Sequence, residues 1–367
     1  MHVLIIVKNL IFNRVRHFHK MKLITRMLIL IACLSNQLYP QDESSPVNLA
    51  IYYPISLNKS IDTNTYLNLS LLYGNVGYVR GLDFSGIASR VNQEMYGLQI
   101  TGLYTENLHN FGGVGLTVGL NFTEGIGKGL QLSGLLNHVG KDFEYVQLGG
   151  LGNFTGNRFH GLQASSLFNV VGDEIKGIQI ASLNKSMNAK GAQIGFLNIS
   201  EENTGLQFGI INISKQQDGV PFGLINLDRK KEVQLISFWS IFSQINAGIR
   251  FISNQFFSEL YVGRMNIQSD GEKKTVFAFH YGYFFQTKNY LVGTDFGFLH
   301  IDFDPLFKTE KPYHNYPAFQ LRLSMDLKIT KWLTIFGGVG STLSLNRYST
   351  DATGRLGELH FIGISLF

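Results

Sequence analysis

His280, His300 and His314 are the side chains of this chain best suited to proton transfer or metal binding. A hydrolytic centre would need one of them beside an acid and a nucleophile, and none has that pattern around it. Ser240 and Ser341 sit in no nucleophile-elbow context. His300 with Asp302 and Asp304 offers metal-type ligands at a strand end, but histidines and carboxylates at the rim of a sheet are ordinary surface residues. Gly-x-Gly fragments such as Gly113-Val114-Gly115 precede no helix, so a phosphate loop is unsupported. The expectation is a protein that is not an enzyme and holds no metal and no cofactor.

The elements that would carry such residues are strands. The chain has 40 Gly, 7 Pro and 13% aromatic residues, and a mean hydropathy of +0.05. Alternating lipid-facing and lumen-facing residues average out to such a value. The net charge of +5 comes from one end. Residues 1–40 carry Lys8, Arg14, Arg16, Lys20, Lys22 and Arg26 and no acid; without these six of the 31 basic residues, 25 stand against 26 acidic ones. The basicity therefore belongs to a targeting segment, and no nucleic-acid footprint follows from it.

From Met21 the segment reads as a secretory signal: basic Lys22 and Arg26, then the apolar run Met27 to Leu34, then a polar stretch to Gln41. The run is about half of the ~20 residues a spanning helix needs, which disfavours a membrane anchor. Cys33, the single cysteine, completes the lipobox-like Leu30-Ile31-Ala32-Cys33, so lipidation at Cys33 is the alternative to cleavage near Gln41. Cleavage near Gln41 leaves a mature chain without cysteine, and so without disulfides.

In the C-terminal third the apolar period is two. Phe319, Leu321, Leu323, Met325 and Leu327 fall on one face of a strand, and Gln320, Arg322, Asp326 and Lys328 on the other. The first row is expected to face lipid and the second the lumen, where mixed charge suits a salt-bridged, closed interior better than an ion-selective ring. Phe277, Phe279, Tyr281, Tyr283 and Phe285 make a similar row. These segments approach the ~9–11 residues of a tilted transmembrane strand and exceed the ~5–6 usual in soluble sheets. Short breaks (Asn254-Gln255, Gln286 to Asn289, Thr330-Lys331) alternate with long ones (Asn266 to Lys274, Phe303 to Pro317, Asn346 to Gly357), as a barrel with a periplasmic and an external rim requires. A soluble sandwich would alternate too, but it explains neither the two classes of turn nor the leader. On this reading Leu323→Arg should impair insertion far more than Arg322→Leu. The ending in Phe367, with Phe361 in step, resembles the C-terminal signal read by the barrel-assembly machinery; Ser365 and Gly363 depart from it, because that pattern prefers bulky residues there.

Between Gly81 and Asp228 a unit close to G-L-Q-I-x-G-L-x-N recurs, first every sixteen residues (Gly81, Gly97, Gly113, Gly129, Tyr145, Gly161, Gly177) and then every fourteen. Two architectures fit. In one, each unit is a barrel strand with its turn, placing Leu130, Leu132, Gly134 and Leu136 toward lipid and Gln131, Ser133 and Asn137 inward. In the other, units stack as coils of a parallel β-solenoid, aligning Asn137, Asn153 and Asn169, and later Asn198, Asn212 and Asn226, in a ladder. The recurring Asn favours the solenoid; continuity with the hairpins favours the barrel, which leaves no edge unpaired in lipid. The barrel is the leading expectation.

The units, Gly205-Leu206-Gln207-Phe208-Gly209-Ile210-Ile211-Asn212 above all, resemble the surface-repeat outer-membrane proteins of spirochaetes and Bacteroidetes, as does the array's ending in Pro221-Phe222-Gly223-Leu224-Ile225-Asn226. That family has no established activity, so the resemblance implies location and build. The chain thus divides into a targeting segment (1–40), lead-in strands (41–80), tandem β repeats (81–232) and barrel hairpins (233–367). The expected fold is an all-β, antiparallel transmembrane barrel of outer-membrane type with a repeat array; a solenoid beside a smaller barrel is the alternative. The expected role is a structural or passive-pore barrel of a Gram-negative outer membrane, in contact with its lipid and with the assembly machinery. The alternative is a surface adhesin or ligand-binding module acting through its long loops.

Overall fold

The computed structural model describes residues 45–58, 60–231, 233–266, 273–286, 290–301, 316–344 and 355–367. The targeting segment with Cys33, the tips of the long breaks, and Asp302, Asp304 and His314 lie outside the described residues. The described residues form strands joined by turns and bends, with no helix among them. They fall in two units that divide between Gly140 and Lys141.

In the first unit, like residues sixteen apart lie side by side. Gly127–Ser133 pairs in parallel with Phe111–Thr117, setting Gly129 on Gly113 and Leu132 on Leu116. Leu136–Val139 pairs in parallel with Leu120–Thr123, setting Asn137 on Asn121. Each repeat is thus two strands joined at a tight corner, Gly134-Leu135 in this case, and one repeat is one coil. Residues 47–76 stack in the same way, with Asn48 on Asn68 and Leu69 on Phe84. The array is a β-solenoid, not a run of antiparallel barrel strands. Adjacent strands of an up-and-down barrel run oppositely, whereas stacking each Gln and Asn on its own copy demands parallel neighbours. Gln131, Ser133 and Asn137 are buried in either arrangement, with Gly134 exposed and Leu130, Leu132 and Leu136 half-buried; Leu135, which strict alternation would turn inward, is exposed at the corner.

The second unit begins with the same coils, as in Gln147 on Gln163. The step then shortens to fourteen, with Gln193 on Gln207 and Asn198 on Asn212. Many coils open on a glycine with a positive φ, such as Gly161 (133°) and Gly177 (143°). A Cβ on Gly177 would stand 2.0 Å from the Gly161 carbonyl oxygen, so backbone conformation and space both exclude a side chain there. Tyr145 occupies the corresponding place in its coil with φ 95°, a region unfavourable to L-residues.

Residues 233–367 close into a barrel of eight antiparallel strands: Val233–Ser240, Ile245–Ser253, Phe256–Asn266, Lys273–Gln286, Leu291–Ile301, Tyr316–Lys328, Leu333–Ser344 and Arg355–Leu366. Closure is made by the first strand on the last, with Leu235 opposite Leu366 and Trp239 opposite Ile362. The start of the first strand therefore lies on the rim of the short connections 254–255, 287–290 and 329–332. The opposite rim carries 241–244 and the strand ends at Asn266, Lys273, Ile301, Tyr316, Ser344 and Arg355.

Two substitutions at equivalent coil positions should move stability in opposite directions. Gly177→Ala is expected to lower it by about 1–3 kcal/mol through backbone strain and the close carbonyl. Tyr145→Gly should raise it by about 1 kcal/mol as the left-handed strain is relieved. Thermal melting of the purified full chain in detergent, followed by circular dichroism, measures both; a shift of the same sign for the two would contradict the stacking geometry.

Candidate functional site: the polar interiors of barrel and coils

The barrel strands turn apolar side chains outward and polar ones inward. On Tyr316–Lys328, Phe319, Leu321, Leu323, Met325 and Leu327 are exposed, while Gln320, Arg322 and Asp326 are buried in the interior. Lys328 shares the inward parity but is exposed at the strand end, its ammonium 5.1 Å from the centre of the Phe367 ring. Phe361 is buried among Phe238, Phe336 and Tyr261; Phe367 is 37% exposed. The row Phe277 to Phe285 faces outward, with Phe277 and Phe285 exposed. Tyr281 of that row is covered: the Phe222 ring lies 4.6 Å away, and the tyrosine hydroxyl donates to the Pro221 carbonyl at 3.0 Å.

The interior is a chain of ion pairs. Arg322 donates from Nε to Asp295 at 2.8 Å and from Nη2 to Glu259 at 2.5 Å. Arg250 donates from Nε to Glu259 and from Nη1 to Asp326, both at 2.6 Å. His280 joins through Nδ1 to Asp295 at 2.7 Å and Nε2 to the Tyr261 hydroxyl at 3.2 Å. All these groups are buried. Aromatic faces fill the space beside them: the Arg250 guanidinium lies 4.7 Å from the centre of Phe336 and Arg322 lies 5.1 Å from that of Phe361. Glycine provides the remaining room, since a Cβ on Gly297 would meet the His280 ring at 2.2 Å.

Tyr261, His280 and Asp295 thus line up as hydroxyl, imidazole and carboxylate, an arrangement invisible in the sequence because three strands contribute to it. Its chemistry is limited by its neighbours. Asp295 is engaged by Arg322, and the tyrosine hydroxyl lies 3.4 Å from Gln320 Oε1, which it can donate to. Every member serves the network, which makes it a packed electrostatic plug rather than an arrangement open to a substrate. Arg250, Glu259, Asp295 and Tyr261 escaped the sequence reading. Their signal was a polar residue on the inward parity of a strand (Ile249-Arg250-Phe251, Thr294-Asp295-Phe296).

The coils are polar inside as well. In the second unit Gln163, Gln179, Gln193 and Gln207 each donate from Nε2 to the Gln of the preceding coil at 2.8–2.9 Å. Asn153, Asn169, Asn184 and Asn198 donate from Nδ2 to the Asn of the following coil, and their second proton reaches a corner carbonyl, as from Asn198 to Phe208 at 3.0 Å. In the first unit Asp83 takes the glutamine's place. It accepts from Asn68 at 2.6 Å and from Gln99 at 2.9 Å, with Ser85 and Ser89 alongside. Burial pushes its carboxyl above the usual range, against the lowering effect of those donors. Among the described residues no group of three or more His, Cys, Asp or Glu is placed to hold a metal ion.

Two outcomes follow from these interiors. Because the folded pKa of Asp83 lies above the unfolded value of ~3.9, folding takes up a proton between the two. Stability should therefore fall as pH rises from ~4 through the folded pKa and level off above it. Asp83→Asn should remove that slope and melt higher at neutral pH; an unchanged pH profile would contradict the assignment. In the barrel, Arg322→Leu leaves Glu259 and Asp295 short of their cation, a loss of about 3–5 kcal/mol. That is comparable with the ~2–4 kcal/mol that Leu323→Arg would cost were the exposed apolar face set in lipid, so Arg322→Leu is not the milder change that alternation alone suggests. Folded yield in detergent should drop for both, and adding Glu259→Gln and Asp295→Asn should restore the Arg322→Leu variant alone.

No protein-family model, no curated protein and no solved structure matches the chain, so the functional reading rests on geometry.

Proposed function

We propose that residues 233–367 span a Gram-negative outer membrane as a closed, non-catalytic structural barrel that anchors the repeat coils. The carrying observation is the inverted distribution of polarity. Leu235, Ile245, Val262, Phe285, Phe296, Leu321, Val339 and Ile362 stand exposed, one on each of the eight strands, while Arg250, Glu259, Asp295, Arg322 and Asp326 are buried inside. Water would reward the opposite arrangement; hydrocarbon rewards this one. Eight strands enclose a space that side chains can fill, and the ion-pair chain and the aromatic cluster occupy it, which supports an anchor over a pore.

The alternative role, adhesion through the long loops, is favoured by one feature, the grouping on a single rim of the strand ends that the long connections join, Asn266, Lys273, Ile301, Tyr316, Ser344 and Arg355. With that rim external, as in outer-membrane barrels, the coils join at the periplasmic side. Asn254, in the short connection, donates to the Asp218 carbonyl at 3.1 Å. The resemblance to surface-repeat proteins then bears on build, and the surface-exposed part is the loop rim.

Planar bilayers containing the purified full chain should show no steady channel conductance; stable unitary currents would overturn the closed-interior reading. An epitope tag within 303–317 should be labelled on intact cells. One inserted at Asn157, in the coils, should be labelled only after the outer membrane is permeabilised. Equal labelling of the two on intact cells would overturn the orientation.

A further inference from the structure

The coils of the second unit are flattened, two sheets face to face: Gln163 reaches Thr155 across the interior at 3.4 Å, Gln193 reaches Ser186 at 3.3 Å and Gln207 reaches Ser200 at 3.2 Å. Between the sheets lie the buried Gln and Asn ladders. One outward face carries Ile178, Ile180 and Phe208, each more than 40% exposed; the other carries the half-buried Phe168, Val170, Ile199 and Ile213, with Lys185 exposed among them. The corner joining the two sheets is apolar in four of these coils, with Leu151, Leu167, Phe196 and Ile210 also more than 40% exposed, while Ser182 takes that place in the coil between Leu167 and Phe196. The opposite edge is charged. Asp142 pairs with Arg158 at 2.7 Å, Glu174 with Lys190 at 2.5 Å, and Glu201 with Lys215, and the three basic groups are half exposed or more.

A slab with amides inside, isoleucine and phenylalanine outside and ions along one edge is unsuited to full immersion in water. Contiguous apolar surface of this kind marks a contact with a partner or with lipid. We propose that the coils of residues 143–228 are a lipid-inserted element: the apolar corner and the outer face that carries Ile178, Ile180 and Phe208 lie among the acyl chains of one leaflet, and the charged edge lies at the headgroups. This rests on the reading of the barrel as membrane-spanning.

Three observations select lipid as the occupant. The first is depth. Strands of seven residues such as Phe143–Gly149 at ~3.3 Å per residue reach about 20 Å, enough to enter one leaflet of a ~30 Å hydrocarbon core and too little to cross it. The second is continuity. The last coil abuts the outer wall of the barrel, where Asn226 Nδ2 donates to Ser258 Oγ at 3.2 Å and Phe222 packs on Tyr281, so the apolar face of the slab adjoins the barrel's apolar exterior. The third is the sheet edge. An open edge is costly in hydrocarbon, and here barrel side chains meet part of it: Ser258 Oγ donates to the Leu224 carbonyl at 3.1 Å and the Tyr281 hydroxyl to that of Pro221. A second copy of the chain would cover the apolar surface as well, but would give no reason for the ion pairs to lie along one edge.

The chain's only two tryptophans, Trp239 and Trp332, lie exposed on the barrel, which separates the two readings experimentally. The full chain is reconstituted in phosphatidylcholine vesicles brominated at mid-chain. Quenching of the native tryptophans reports the barrel. In a Trp239→Phe, Trp332→Phe background, Leu167→Trp and Phe196→Trp report the corner and Asn157→Trp the charged edge; all three positions are exposed, so each should fold. Corner tryptophans should lose at least half of their emission relative to unbrominated vesicles, and Asn157→Trp less than a tenth. Quenching of Trp239 and Trp332 without quenching at the corner would overturn this proposal and leave the barrel reading standing. No quenching at any position would remove both. Corner tryptophans that are unquenched but cross-link between copies would identify a second chain as the occupant and overturn the proposal likewise.

Discussion

The polar groups that this protein hides from solvent are stabilised chiefly by partners of their own kind within it. A buried donor or acceptor without a partner costs about 1–3 kcal/mol, and a buried charge without its counterion costs more. Most cores avoid the problem by being apolar. Here the polar groups have been gathered into the interiors of coils and barrel alike, and the rest of the structure follows from pairing them. The coils stack in parallel because an amide satisfies a copy of itself one coil away. The barrel interior is crowded because two guanidinium groups must reach three carboxylates.

The two regions solve the same problem with different symmetry. In the second unit's coils the partners are identical, so one residue type at one position suffices and the repeat propagates it: Asn184 receives from Asn169 and gives to Asn198. In the barrel the partners differ and come from strands far apart in the chain, as when Arg250 bridges Glu259 and Asp326. A repeat tolerates gradual change. A cross-barrel network is all-or-none, because removing Arg322 leaves two carboxylates short at once.

That difference governs what could be read from the sequence. Alternation specifies which side chains share a face, and Gln131, Asn137, Gln320 and Arg322 are inward for that reason alone. It carries no information on whether a neighbouring strand runs parallel or antiparallel, so the same in-and-out partition fitted a barrel and a solenoid equally well in residues 81–232. The recurring Asn was the decisive sign, and continuity with the hairpins outweighed it. Within the barrel, Ala318 to Ile329 was legible because apolar and polar residues alternate without a break. The strands holding Arg250, Glu259 and Asp295 include Gly248, Ser258, Gly293 and Gly297, small residues that blur the contrast. Those glycines are there because something large lies opposite, as His280 does at Gly297. Ion pairs between strands leave no local trace.

The two amide ladders of the second unit run in opposite directions: glutamines donate toward the preceding coil and asparagines toward the following one. Two rows of like dipoles pointing oppositely cancel along the stack, so no field accumulates as coils are added. A coil inserted between two others meets the same partners above and below and leaves the termini of the array unchanged, since nearest neighbours alone determine its stability. The length of such a stack is therefore almost free of electrostatic consequence. What is constrained is the last coil, where the carbonyls of Leu224 and Pro221 accept from Ser258 and Tyr281 of the barrel. Duplication and loss of coils can proceed in the middle of the array while its junction with the barrel stays the same, which makes the length of the stack the property of this protein most easily altered in small, equal steps.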